Sequence, residues 1–329
     1  MTRLVQEQSA FVRSGVLPGV QKRLAAARTV KQQTIDAHLA KWGEAIAAIR
    51  ASDGVTASKL YEHFELTPQL GLVPIGLDRK SLLWEFVHLA SGTPGKEFPV
   101  RDPATQRLVP TGDMGLVFVL IPGGSLPTGT KDAGSDTSVR LGVKLDAFFL
   151  GKYEVTQGQW LRLTGGDPLA EKQDSLALPV EPVSWFDSEE VLRHQGLVLP
   201  SELRWEYAIR AGTTTAWWTG DTQESVKAKE NIGGGSLLSV GSKAANGFGL
   251  FDMGGNLFEW CLDVYEDYGT ERVGDGLRPG QGDGAAWRCV RGGAFGGSPV
   301  NAKSHFRINS PPGVPSDFEG LRAARTFRR

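Results

Sequence analysis

The N-terminal part of the chain carries apolar side chains at alternating steps of four and three residues. Such spacing places one apolar stripe along a helix, here formed by Ile35, Leu39, Trp42, Ile46 and Ile49. The pattern predicts a helical N-terminal segment over residues 1–55, ended by Gly54. The stripe can pack on the rest of the chain or on a partner, so assembly through this helix is one predicted role.

Between residues 56 and 111 the pattern changes to short apolar runs separated by turns. The runs are LGLVPIGLD and LLWEFVHLAS, and both are rich in large side chains. Runs of this length and composition are typical of paired strands. We therefore predict a small strand-containing subdomain or linker over residues 56–111.

From residue 112 onward, buried strands alternate with helices whose first turns carry capping residues. The run GLVFVLIPGG predicts a buried strand that ends in a turn. Side-chain oxygens that can cap a helix start precede three helical patterns, at Thr156, at Ser184 or Asp187, and at Ser201. No repeat of 20 to 50 residues interrupts this region, so residues 112–329 are predicted to form one domain.

The last part of that domain, Arg288–Arg325, is called the C-terminal segment below. It begins with a short strand, RCVR, followed by the diglycine Gly292-Gly293, which permits a sharp turn. The prolines that follow predict a long structured loop without regular pairing, and they are Pro299, Pro311, Pro312 and Pro315. Loops over a fixed scaffold are where binding or catalysis usually resides.

Composition narrows the classes of partner. The formal net charge of −1 gives no electrostatic case for binding nucleic acid or an anionic membrane. No apolar run approaches the roughly 18 residues that a membrane span needs, so no span is expected. Two cysteines, Cys261 and Cys289, are too few for a disulfide framework, which predicts a reduced, cytoplasmic compartment.

Six motifs in order along residues 112–326 resemble the formylglycine-generating enzyme (sulfatase-modifying factor) family. They are VLIPGG at 119–124, YEVT at 153–156, PVSW at 182–185, LPSELRWEYA at 199–208, GLFDMGGNLFEW at 249–260 and RGG at 291–293. The resemblance implies an α+β, C-type-lectin-like fold with little regular structure, two small antiparallel sheets, flanking helices and long ordered loops. Residues 66–92 also resemble a region that precedes such domains in multidomain bacterial proteins, some of which carry kinase modules.

The resemblance also shows where the family's chemistry is missing. The family's oxidation needs two loop cysteines that bind copper(I), a soft ion that prefers thiolates. Those positions fall near Gly297 and Ala302, and no cysteine lies between Phe295 and Arg329. Formylglycine generation is therefore not expected.

A second branch of the fold, the ergothioneine-type iron oxygenases, draws a three-histidine site partly from a helical N-terminal module. The histidines of this chain are scattered and predict no such cluster, since they are His38, His63, His88, His194 and His305. Glu62, Glu65 and Glu85 lie near two of them, but a metal site needs convergent ligands at short spacing. Structural roles are expected for His63 and His88.

With its scaffold kept and its copper ligands absent, the C-terminal segment resembles the variable proteins of diversity-generating retroelements. These proteins display diversified side chains on the same fold, in a C-terminal region that begins near the diglycine. The predicted ligand-binding residues are Phe295, Gly296, Ser298, Val300, Asn301, Lys303, Phe306, Ile308, Asn309, Ser310, Asp317, Phe318 and Glu319. The large apolar members among them either form a binding surface or fill the loop's own core.

The resemblance implies a calcium site as well. The family binds calcium through an asparagine and a glutamate that match Asn256 and Glu259, and oxygen ligands suit that ion. A salt bridge from Glu259 to a loop arginine is the alternative. A second family site matches at Asn231-Ile232, although its aspartate corresponds to Gly241.

These inferences converge on a non-enzymatic protein that binds a ligand, expected to be another protein, through the C-terminal segment. No cofactor is required, and structural calcium is the one metal expected. The alternative is an enzyme of the same family that modifies a peptide side chain oxidatively without paired thiolates, for which a polar pocket near Arg307, Asp317 and Trp260 is expected. A purely structural domain, with the loop covered by the N-terminal region, is a third reading.

Overall fold

A five-stranded antiparallel sheet forms the larger part of the core. The computed structural model describes residues 24, 28–126, 143–166, 175–266, 277 and 286–327. In chain order the strands are β1 (Leu72–Leu77), β2 (Trp84–His88), β3 (Val100–Arg101), β4 (Leu108–Val109), β5 (Leu116–Ile121), β6 (Gly124–Ser125), β7 (Lys144–Leu145), β8 (Phe148–Gly151), β9 (Phe258–Val264), β10 (Arg288–Arg291), β11 (Ile308–Ser310), β12 (Glu319–Gly320) and β13 (Ala324–Thr326). The large sheet has the order β1-β2-β5-β8-β13. Every residue of β5 and β8 is buried.

The strand pair predicted within residues 56–111 is present as β1 and β2. These strands pair with each other, and β2 pairs with β5 through Glu85–His88 and Leu116–Val119. Residues on both sides of the predicted boundary at 111 and 112 therefore belong to one sheet. Two further pairs, β3-β4 and β6-β7, form separate two-stranded ribbons.

The N-terminal stripe packs on this sheet. Helix α1 (Leu39–Ala51) buries Trp42, Ala45 and Ile49, and the Trp42 ring lies 5.5 Å from the ring of Phe86 in β2. Residues 28–34 are helical and Asp36–His38 form a 3-10 turn, whereas residues 1–23 and 25–27 of the predicted segment lie outside the described residues. Leu39 is 63% exposed, so the stripe does not pack along its whole length.

Four further helices of the described residues flank the sheets, and their starts follow from local chemistry. They are α2 (Gln157–Thr164), α3 (Trp185–His194), α4 (Glu202–Arg210) and α5 (Gln223–Lys227). Thr156 forms a capping box with Gln159, and Ser201 accepts a hydrogen bond from the Arg204 amide. Ser184, not Asp187, caps α3, because the Ser184 hydroxyl oxygen accepts from the Asp187 amide. No helix among the described ranges is long and apolar enough to cross a membrane.

A second, four-stranded sheet has the order β11-β10-β9-β12, and it corrects two expectations. The first is that the prolines exclude regular pairing, yet β11 pairs with β10. No proline lies between Pro299 and Pro311, which leaves room for three paired residues. The second is that both sheets are antiparallel, yet β12 runs parallel to β9, because the chain returns beside β9 after crossing residues 311–318.

Candidate binding surface

Buried ion pairs fix the C-terminal segment to helix α4. Glu202 and Glu206 lie one turn apart and therefore on one face of that helix. Arg291 donates through Nη2 to Glu206 Oε2 at 2.7 Å. Arg307 donates to both carboxylate oxygens of Glu202, at 2.6 and 2.9 Å. The fork geometry of a guanidinium suits this bidentate pairing.

The same arginine that binds α4 also holds the loop backbone. Arg291 donates to the carbonyl oxygens of Ser304 and His305 at 2.9 and 3.0 Å. The turn beside it requires glycine, since Gly292 has φ +101° and an added Cβ would lie 3.2 Å from the Trp205 ring. Strand, turn and loop are thus fixed relative to α4.

Hydrogen bonds from other elements hold the loop backbone along its length. The Phe295 amide donates to Asn256 O at 2.9 Å, and the Phe258 amide donates to Phe318 O at 2.9 Å. Between these points lie three more bonds, namely Trp217 Nε1 to Pro299 O, Ser304 N to Ala216 O and Trp185 N to Pro312 O. None of these bonds uses a side chain of the predicted ligand-binding residues.

The predicted ligand-binding residues fall into three groups. Exposed are Gly296, Ser298, Val300, Asn309, Asp317 and Phe318. Partly buried are Phe295, Asn301, Lys303, Phe306 and Ile308. Buried are Ser310 and Glu319. The exposed group is called the candidate binding surface below.

Phe318 of this surface forms an aromatic pair with the partly buried Phe295. The rings of Phe295 and Phe318 are 5.5 Å apart, and Phe318 is 47% exposed. A Cβ added at Gly296 would contact the Phe318 ring at 3.5 Å, so these three residues are neighbours. Partial burial, and then the charge of the neighbouring Asp317, raise the pKa of Glu181, so these two carboxylates form an acidic edge.

The large apolar residues of the segment were expected either to form a binding surface or to fill the loop's own core, and they differ in this respect. Phe306 and Ile308 pack against the main core, so they fill the interior in part. Phe318 does not belong to that cluster and presents about half of its side-chain area to solvent. Lys303 lies over the Trp217 ring, with Nζ 5.5 Å from its centroid.

Ser310 and Glu319 are corrections to the predicted set. Ser310 pairs with Arg288 in the second sheet, and Glu319 pairs with Phe258. Burial raises the pKa of Glu319, while a hydrogen bond from Ser310 opposes that shift. Both side chains are buried and bind each other, so they do not belong to the exposed group.

The residues present do not fit copper. Ala302, at one implied ligand position, is fully buried in an apolar cluster with Trp217, Val226 and Ile232. Cys261 and Cys289 are both buried, and burial raises the pKa of each thiol. Thiols held in this form are poor ligands for a metal ion, since the thiolate is the binding species.

The implied calcium ligands are also engaged by the protein. Asn256 Oδ1 accepts from Asn231 Nδ2 at 2.9 Å and from the Leu238 amide at 3.1 Å. Glu259 accepts from Arg322 Nε at 2.9 Å and from Trp205 Nε1 at 2.7 Å. A guanidinium at this carboxylate would repel a cation, so the donor set does not fit calcium, and the salt-bridge alternative describes the geometry.

The histidines show no metal geometry within the described residues. His88 is buried in β2, and burial lowers its pKa to about 4, whereas His63 lies in an exposed turn. No group of three or more His, Cys, Asp or Glu side chains in the described ranges is placed to hold a metal ion.

Arg322 sits among more carboxylates than it can neutralise. Its Nη1 and Nη2 donate to Gly151 O and Phe251 O at 3.0 and 2.8 Å. Burial raises the pKa of Asp252 to about 6 and that of Glu230 to about 8, and burial with neighbouring carboxylates raises that of Glu154 well above its usual range. These shifts favour the protonated forms of buried acids, which lowers the charge that the interior must hold.

The sequence did not predict the role of Glu202 and Glu206, which bind the arginines of the C-terminal segment. Their signal is present in LPSELRWEYAIRAG, where glutamates four residues apart sit among apolar neighbours on a short helix. A carboxylate on a buried helix face requires a cationic partner, and the arginines of the C-terminal segment were the candidates.

Most of the chain matches a known protein family. Residues 107–327 match the sulfatase-modifying factor enzyme 1-like domain. The inactive C-alpha-formylglycine-generating enzyme 2 of Mus musculus is 30% identical over 191 residues, covering 53% of this chain and 57% of that protein. The serine/threonine-protein kinase pkn1 of Chlamydia pneumoniae is 27% identical over 238 residues, covering 64% of this chain and 38% of the kinase. The chain thus matches only part of these relatives.

Two solved structures share the fold. PvdO from Pseudomonas aeruginosa has a TM-score of 0.57 at 24% identity, covering 64% of this chain and 95% of that protein. Treponema denticola variable protein 1 has a TM-score of 0.54 at 24% identity, covering 64% and 96%. The α+β, C-type-lectin-like fold class is confirmed. The chain belongs to the family defined by the sulfatase-modifying factor enzyme 1-like domain, which it carries at residues 107–327.

Proposed function

We propose that this protein is a non-enzymatic binding protein whose candidate binding surface contacts another protein. The observation that carries the proposal is the separation of roles within the C-terminal segment. Its backbone is held by bonds to other elements, while six of the predicted ligand-binding residues within it are exposed. A surface built this way can change its side chains without disturbing the fold.

The chemistry of the surface suits a protein ligand. Phe295 and Phe318 offer paired aromatic rings, the type of side chain that anchors protein interfaces. Asp317 adds an exposed carboxylate at the edge. A partner with an apolar anchor and a neighbouring basic residue would complement both features.

Diversification of residues 295–319 by a retroelement is the finer form of this proposal. A variable protein from Treponema denticola has the same fold, and the exposed positions of the predicted set follow the diglycine, where the resemblance to variable proteins places diversified residues. The test is the neighbouring DNA. A near-copy of the codons for residues 292–322 beside a reverse transcriptase gene, differing mainly at adenines, would support diversification, and its absence would oppose it.

The enzymatic alternative lacks a supporting observation. Trp260 is fully buried and donates through Nε1 to Val183 O at 3.0 Å, and Arg307 is bound to Glu202. Two of the three groups expected to line a polar pocket are thus engaged in the framework. The third reading, a loop covered by the N-terminal region, is opposed by the exposure of Phe318 and by the packing of α1 on the first sheet.

Assembly through the N-terminal helix and a cytoplasmic location remain part of the proposal. Leu39 on α1 is exposed and could contact a partner. The cytoplasmic assignment rests on the two buried, free cysteines and on the general rarity of free thiol pairs in oxidising compartments.

A matched pair of aromatic variants tests binding at the surface. Phe318→Ala removes an exposed ring from the candidate binding surface, and Phe98→Ala removes a ring that is 37% exposed and contacts His38 instead. A protein captured from cells of origin by the wild type and by Phe98→Ala should be lost with Phe318→Ala. Equal capture by all three proteins would contradict the proposal, provided that melting temperatures agree.

A further inference from the structure

A cavity lies at the end of the first sheet, separate from the candidate binding surface. It occupies the corner where β8 begins and β13 ends, and its volume is about 420 Å³. The turn that follows Tyr61 contributes one wall. The lining residues are His63, Phe64, Glu65, Thr67, Asp146, Ala147, Thr326 and Phe327, none of which belongs to the predicted ligand-binding set.

Aromatic rings make up the apolar part of this cavity. The rings of Phe64 and Phe327 meet edge to face, with centroids 4.9 Å apart, and both residues are partly buried. Ala147 adds a small buried side chain. The volume lies within the range of roughly 300–1,000 Å³ that is usual for small-molecule sites.

The charged part of the lining is acidic. Glu65 and Asp146 are exposed carboxylates, and the described residues that line the cavity include no lysine or arginine. Arg204 approaches from the protein interior, where its Nη1 donates to Thr326 Oγ1 at 3.3 Å. Its guanidinium lies over the Phe148 ring, and the distance from Cζ to the ring centroid is 5.1 Å. Arg204 therefore packs in the core behind the cavity wall.

We propose that this cavity binds a small organic cation, an ammonium group carried on an apolar body. The aromatic rings would contact the apolar body of the ligand, and a ring face would attract its ammonium group. Glu65 would supply the opposite charge at the rim. His63, with φ 66° and an exposed side chain, adds a polar group at the rim. Among the described side chains, no group of three His, Cys, Asp or Glu is placed to hold a metal ion here.

Three probes that share a phenyl ring on a two-carbon chain separate charge from shape. They are 2-phenylethylammonium, 2-phenylethanol and 3-phenylpropanoate, and titration calorimetry on the whole chain measures their affinities. The ammonium probe is expected to bind about fivefold or more tightly than the alcohol, and the carboxylate is expected to bind most weakly. Equal affinities, or no binding of the ammonium probe at millimolar concentration, would overturn the proposal.

Two glutamates on the same turn provide a matched pair of variants. Glu65 lines the cavity and Glu62 does not, although both are exposed. Glu65→Gln is expected to weaken binding of 2-phenylethylammonium about three- to fivefold and to leave the alcohol unchanged, whereas Glu62→Gln should bind as the wild type does. Thr67→Trp, which fills the opening from an exposed position, should abolish binding. Equal effects of the two glutamine variants, or binding that survives Thr67→Trp, would show that the probe binds elsewhere.

Discussion

Buried arginines bind the C-terminal segment to the rest of the fold. Arg322 is fully buried, and it binds Glu259 and the carbonyl oxygens of Gly151 and Phe251. The carboxylate pairs raise the pKa of Arg322 despite its burial. A charge held in this way is stable only while its partners remain.

Arg322→Met is therefore expected to lower the free energy of unfolding by about 3–5 kcal/mol, because it leaves Glu259 buried without its cation. Urea denaturation measures the loss. Adding Glu259→Gln to that variant should recover part of it. Arg50→Met, at an exposed position of α1, serves as the control and should change stability by less than about 0.5 kcal/mol. A loss of stability as small as that of Arg50→Met would show that the buried ion pair of Arg322 is not needed for the fold.

The buried acids near Arg322 predict a pH dependence of stability. Burial raises the pKa of Glu230 to about 8 from a usual value of 4.5. The folded state therefore holds a proton that the unfolded state releases, so this contribution is complete below pH 4.5 and is lost as pH rises through 8. Trp218 and the Gly254 amide donate to Glu230 Oε1, an oxygen that glutamine retains.

Glu230→Gln should accordingly become more stable than the wild type as pH rises from 5 to 8.5, by an amount on the order of a few kcal/mol. Thermal unfolding across that pH range measures the difference. Glu44→Gln, at an exposed position of α1, should follow the wild-type curve. Parallel curves for Glu230→Gln and the wild type would show that Glu230 is not protonated in the folded protein.

At the scale of elements, two glycines illustrate opposite requirements. Gly43 lies within α1 with no atom within 4 Å of an added Cβ, whereas Gly292 has φ +101° and close neighbours. Gly43→Ala should stabilise the protein by about 1 kcal/mol through helix propensity. Gly292→Ala should destabilise it by about 1–3 kcal/mol through backbone strain. Chemical denaturation of both variants measures the contrast, and a stabilising Gly292→Ala would refute the strained turn.

Elements set by local chemistry were predictable, and elements set by distant contacts were not. Thr156 and Ser201 cap helices as predicted, because a cap depends on residues three positions apart. Strand β11 forms because β10 lies beside it, and β12 runs parallel to β9 because of where the chain returns. The sequences of β11 and β12, three and two residues long, do not by themselves predict either pairing.

The candidate site shows the same limit. The sequence identified the segment and, through the RGG motif at 291–293, one arginine that anchors it, Arg291. It did not separate exposed Phe318 from buried Glu319, since only the pairing of Glu319 with Phe258 turns that side chain inward. The cavity at Phe64 and Phe327 joins residues more than 200 positions apart, and no local pattern marks it.

At the scale of the whole molecule, the first sheet and α4 form a frame on which the C-terminal segment lies. The chain is similar in sequence to a protein named as an inactive formylglycine-generating enzyme and shares its fold with a variable protein, and no cysteine lies at the implied copper-binding positions near Gly297 and Ala302. The central claim is that the frame alone determines folding, so that the exposed side chains are free to serve recognition.

A pooled substitution scan of residues 288–326, read as resistance of the folded protein to protease, tests that claim most directly. The account predicts broad tolerance at the candidate binding surface, which comprises Gly296, Ser298, Val300, Asn309, Asp317 and Phe318. It predicts intolerance at the positions that fix the segment to this frame, which are Arg291, Gly292 and Arg322. Intolerance at Phe318 equal to that at Arg322 would contradict the claim, because it would make the aromatic surface part of the fold.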